Sequence, residues 1–283
     1  MALTKLWDGA FNVTAPVVAG GSVYVAATAT GQIHRLGGDG ALSMILETNG
    51  GPVGMATDPT NGDVYIADNG RQALVKMELD DASGTGVLAP FLDTFEGKPF
   101  RGPHGVAFDA AGEMYFTDPG AFGDTGLTNP RGAVYRTVQN RQQVVTLAPP
   151  SLAAPTGVAC GPNGCVYVAE LHANRVLRFA QRPAGVFHAS VFVQLAGGVG
   201  PSAVAVHPKT GDVYVAKYDF APGAGSAGAA PTGQVVVFTE TGEEKGSIVV
   251  PGPEVSGLCF DATGATLYIT EQHAIYSCAV GAA

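Results

Sequence analysis

His104 stands in the phrase RGPHG, residues 101–105, and its imidazole gains and loses a proton near neutral pH. Three roles are open to it: general base, metal ligand, or polar residue packed in the interior. Five carboxylates recur at one kind of position, each shortly after a short strand built around a tyrosine: Asp68, Asp118, Glu170, Asp219 and Glu271. Gathered around one opening, five acids would set up a negative field that attracts a basic protein segment or a cationic small molecule. Taken singly, each would cap its own turn. His172 and His273 follow the same kind of strand and are expected on the same face, well out from its centre. The cysteines at 160, 165, 259 and 278 lack metal-finger spacing and read as buried thiols.

These residues are positioned by a repeat, with tyrosine as its ruler. VYVA at Tyr24, VYIA at Tyr65, MYFT at Tyr115, VYVA at Tyr167, VYVA at Tyr214 and LYIT at Tyr268 each form a second strand. A first strand lies upstream of each: 13–18, 53–58, 104–109, 156–161, 202–207 and 256–261. Turns such as PTNGD and AAGE join the two, with the Gly, Asn, Pro and Asp content that tight turns need. Third strands are expected at 32–36, 73–78, 133–137, 175–179, 234–238 and 274–278, and outer strands at 41–46, 86–92, 143–147, 189–195 and 246–250. Units of this length with four strands each predict an all-β fold, a six-bladed β-propeller. The sixth unit has no residues left for an outer strand, so Thr4 to Asp8 is expected to supply it beside Ala274 to Cys278 and to close the ring. One domain, residues 1–283, is expected. The innermost strands of a propeller run in one direction, so the residues at their starts meet around one mouth of the central channel. Two long insertions, Pro119 to Gly132 and Tyr218 to Gly233, are expected above that mouth.

Charged residues make up 14% of the chain, and there are 40 glycines, a profile that suits many short buried strands and tight turns. Net charge is −9, with no Lys/Arg cluster, which argues against nucleic acid and anionic membranes as partners. The apolar run 17–29 is too short to span a bilayer. Asp8 interrupts what would be the apolar core of a secretory leader, so a cytoplasmic location is expected.

GPHGVAFDAAGEMYFTDPG followed by GAVYRT, and APTGVACGPNGCVYVAELHANRVLRF, resemble the gluconolactonase and regucalcin family of six-bladed propellers, and also NHL-repeat blades. The resemblance implies a divalent cation, usually calcium, held on the axis by a Glu, two Asn and an Asp. Those positions fall at Thr14, His104, Thr156 and Ser202, so a bound metal is not expected. The family's aspartate also acts as base or nucleophile, a role Ser202 could take only beside an activating partner. Arg101 nearly matches an arginine that touches substrate in the family. With these ligands replaced, the expectation is a non-catalytic propeller that binds a protein partner or small ligand at the mouth through Thr14, Thr156, Ser202 and the five acids. The alternative is a hydrolase or lyase for a small lactone or ester that uses His104 with Arg101.

Overall fold

A computed structural model describes residues 2–80, 85–121, 123–221 and 232–281. Six four-stranded antiparallel sheets form a six-bladed β-propeller. Its inner strands are Thr14–Ala19, Pro52–Thr57, Val106–Phe108, Pro155–Cys160, Gly200–Val206 and Val255–Phe260. Leu3–Asp8 pairs antiparallel with Ala274–Ala279 as the outer strand of blade six, so both ends of the chain share one sheet. Among the described residues, no helix is long and apolar enough to cross a membrane.

The tyrosine ruler works by wedging between blades. Tyr24, Tyr65, Tyr115, Tyr167 and Tyr214 are buried, while Tyr268 is half-buried. Tyr65 meets Phe108 of the next inner strand at a ring-centroid distance of 5.2 Å, and Tyr214 meets Phe260 at 5.0 Å. These contacts bury aromatic area across each blade boundary and add the edge-on attraction of paired rings.

Two features differ from the sequence reading. Blade three's outer strand runs Gln143–Leu152, past Leu147 and through two prolines; an outermost strand tolerates their missing N–H groups. A short hairpin, Thr94–Phe95 with Lys98–Pro99, precedes blade three and seats Phe95 and Phe100 against Tyr135.

The inner strands place the site by bulging at their first residues. Val53, Ser202 and Ser256 are each skipped in the register with the second strand, and blades one and four shift near Thr14 and Thr156. A bulge re-aims a side chain out of the ladder, here toward the channel axis. The next residue is Gly or Ala in every blade. A Cβ on Gly54 would lie 1.9 Å from the His104 carbonyl oxygen, and one on Gly105 would lie 2.3 Å from that of Thr156. Glycine is needed there because neighbouring inner strands approach closer than any side chain permits.

Candidate functional site

At the head of the channel, six residues at or just before the inner strands line one cavity: Thr14, Val53, His104, Thr156, Ser202 and Ser256. This cavity has a volume of about 690 Å³, within the usual size of small-molecule sites. The hydroxyls of this ring are turned into the protein. Thr156 donates to the Pro201 carbonyl (3.2 Å), Ser202 to Val255 (2.6 Å) and Ser256 to Val13 (2.9 Å). Each of these bonds runs from one blade to the next, and the last joins blade six to blade one. Thr14 donates back to the Ser256 carbonyl at 3.2 Å. Thr14, Thr156 and Ser202 therefore line the cavity, while their hydrogens clasp neighbouring blades.

His104 breaks this pattern. Its backbone N–H donates to the Thr117 carbonyl at 2.9 Å, while its ring has no hydrogen-bond partner among the described residues and forms part of the cavity floor. Protein surrounds the ring on every side but the cavity, and this burial lowers its pKa to about 4, so the imidazole is neutral at pH 7. In the unfolded chain the same group titrates near 6.5. Between these values the unfolded state binds a proton that the folded state does not, so stability is lost as pH falls from about 6.5 through 4. His104→Asn should remove that part of the loss. The wild-type urea midpoint should fall more steeply than the variant's as pH drops through this window; parallel profiles would contradict the assignment.

His172 also lies on the cavity wall, closer in than its sequence position suggested. Its Nδ1 lies 3.0 Å from the Thr125 carbonyl oxygen. A carbonyl only accepts, so Nδ1 carries a proton, and the tautomer this contact selects has its lone pair on Nε2. Thr125 is itself fixed: its hydroxyl contacts the Asn129 and Leu152 carbonyls and accepts the Arg131 N–H. The first long insertion thus forms part of the wall and anchors His172 of blade four beside it. A histidine directly after the Tyr167 strand was the signal available in the sequence. His273 has the same placement after Tyr268 but is exposed and does not line the cavity.

Arg101 does not line the cavity. Its guanidinium donates to the Arg131 carbonyl (2.9 Å) and pairs with Asp124 (3.3 Å), tying down the same insertion. The acidic rim also requires correction. Asp68, Asp118, Glu170 and Glu271 are buried, and only Asp219 is exposed. Asp68 accepts backbone N–H bonds from Gly51 and Arg71; Asp118 accepts them from Arg101, Gly102 and Gly120. Glu170 accepts from the Ala153 N–H and from Arg175 Nε. Glu271 accepts from the His273 N–H at 3.4 Å and Asp219 from that of Phe220 at 2.9 Å. Burial pushes the Asp118 and Glu271 carboxyls above their ordinary range. The first three tie the end of a second strand to the loop that enters their own blade, an internal role, and none of the five lines the cavity. Of the second insertion, residues 222–231 lie outside the described residues.

Calcium requires six to eight oxygens, several of them carboxylate. Thr14, His104, Thr156 and Ser202 present no carboxylate. The one acid on the described cavity wall, Glu254, already accepts the Ala221 N–H. Among the described residues no group of three His, Cys, Asp or Glu side chains could hold a metal. The donor set does not fit the family's cation.

Over 245 residues the chain is 26% identical to the gluconolactonase of Zymomonas mobilis, covering 79% of this chain and 61% of that protein. Lactonase drp35 of Staphylococcus aureus is 29% identical over 152 residues, 52% of this chain and 41% of the relative. The chain thus spans less than two thirds of the length of either curated relative. A solved gluconolactonase of Xanthomonas campestris superposes with a TM-score of 0.79 at 20% identity, over 99% of this chain and 89% of the other. At that identity the superposition shows the fold. The two curated relatives, both named as lactonases, overturn the expectation of a non-catalytic scaffold. Residues 9–273 match the model of the SMP-30/Gluconolactonase/LRE-like region, and the chain belongs to that family.

Proposed function

We propose that this chain hydrolyses small lactones in the cavity at the head of the channel, using two histidines in place of the family's cation site. The observation that carries this reading is the pairing of His104, which is neutral, with His172, whose tautomer is fixed by the Thr125 carbonyl, on the wall of one cavity. Water attacks the lactone carbonyl carbon while one of its protons passes to His172 Nε2. The carbonyl electron pair moves onto oxygen, and that oxyanion accepts a hydrogen bond from the N–H of neutral His104. Collapse of the tetrahedral intermediate breaks the ring C–O bond. His172 then returns the proton to the leaving alkoxide, and the product is an open-chain hydroxy acid. No step runs through a cation, because the ring offers none of the carboxylates that calcium selects.

Proton release from a panel of five- and six-membered lactones tests the proposal. Turnover above the uncatalysed rate is expected, together with a roughly hundredfold loss in His104→Ala, typical of removing an oxyanion donor. Folded wild-type protein that turns over no member of the panel would refute it.

A further inference from the structure

The hydroxyl groups of the cavity wall are largely unavailable to a ligand. Each of its six serine and threonine hydroxyls, on Thr14, Thr28, Thr125, Thr156, Ser202 and Ser256, contacts a backbone carbonyl as donor. Asn69, also on the wall, donates from its amide to the Gly102 and Gly120 carbonyls at 2.9 and 3.1 Å. What the wall presents to a ligand is mostly carbon: Val13, Val53, Pro119, Leu171, Val199 and Phe220. Phe220 is 59% exposed and packs edge-on against Tyr218, a large apolar surface at the cavity without a full covering.

Resting on the lactonase reading above, we infer that the substrates are lactones with an apolar body, an alkyl- or aryl-substituted ring, and not polyhydroxylated sugar lactones. A sugar lactone would bring several hydroxyls against a wall whose serine and threonine hydroxyls are already engaged, with the Asn12 and Gln272 amides and the two histidines among its remaining polar groups. Its hydroxyls would lose hydration without full replacement, a penalty that sites built for hydroxyls avoid. An apolar substituent gains from the same wall. Each buried methylene improves binding roughly three- to fourfold, and a cavity of about 690 Å³ has room for a substituted ring.

Lactams that mimic the ring without being hydrolysed separate this inference from the reading beneath it. Calorimetric titration of the full chain with 2-pyrrolidinone, 5-hexyl-2-pyrrolidinone and the lactam of gluconic acid reads binding alone. The hexyl lactam should bind at least about fiftyfold tighter than 2-pyrrolidinone, given the gain per methylene. The gluconic lactam should bind no tighter than 2-pyrrolidinone. Phe220→Ser should cut the advantage of the hexyl group at least about fivefold, the loss expected on removing one apolar wall residue. Equal affinities, preference for the gluconic lactam, or no binding by the hexyl lactam would overturn the inference. Absence of turnover with the hexyl preference intact would overturn the catalytic reading and leave standing only the cavity's preference for an apolar ligand.

Discussion

Removal of residues 1–9 is expected to lower the melting temperature by about 8–16 °C. Leu3–Asp8 is the outer strand of blade six and pairs along Ala274–Ala279 from Leu3 opposite Cys278 to Asp8 opposite Ala274. Leu3, Leu6 and Trp7 are half-buried, and Trp7 packs tilted against Phe11 with ring centroids 5.0 Å apart. A fully buried side chain of this kind contributes about 1.5–3 kcal/mol, so three half-buried ones contribute about 3 kcal/mol. Loss of the pairing leaves Ala274–Ala279 as an open edge and brings the cost to about 4 kcal/mol. Scanning calorimetry of the truncated protein checks this. A melting temperature within about 2 °C of the full chain would mean the terminal strand does not close the ring in solution.

His172→Asn should lower kcat for lactone hydrolysis by about a hundred- to ten-thousandfold, the usual effect of losing a general base, with the melting temperature nearly unchanged. Asparagine keeps an N–H that can donate to the Thr125 carbonyl, so the wall carried by the first insertion stays anchored. It has no basic nitrogen to take a proton from water. A loss confined to KM would assign His172 to substrate binding, and unchanged kcat would remove it from the proton transfer.

The fold was legible because its signals repeat. Six tyrosines at one slot mark six blades, and the missing outer strand of the sixth points to the N-terminal strand that replaces it. The same regularity misled the reading of the acids. Asp68, Asp118 and Glu170 recur because each ties the entry loop of its own blade to its second strand, a role internal to the repeat. The site lies where blades differ. His104 and Val53 are the two ring positions without a hydroxyl, and His104 was visible as such in the sequence. His172 was placed too far out because its position depends on the path of residues 119–132. The Arg101 and Thr125 bonds that fix that path span 30 and 27 residues and leave no periodic trace. That the hydroxyls of Thr156, Ser202 and Ser256 point across blade boundaries was equally hidden, since a bulge at the start of the inner strand decides their aim.

Lactone turnover by metal-stripped protein tests the central claim most directly. Wild type and His172→Asn are dialysed against a chelator and assayed with and without added calcium, on the lactone that wild type turns over best. Stripped wild type should hydrolyse it as fast as the calcium-supplemented protein, with His172→Asn slow in both conditions. Activity that vanishes on chelation, returns with calcium and is indifferent to His172 would contradict a two-histidine site.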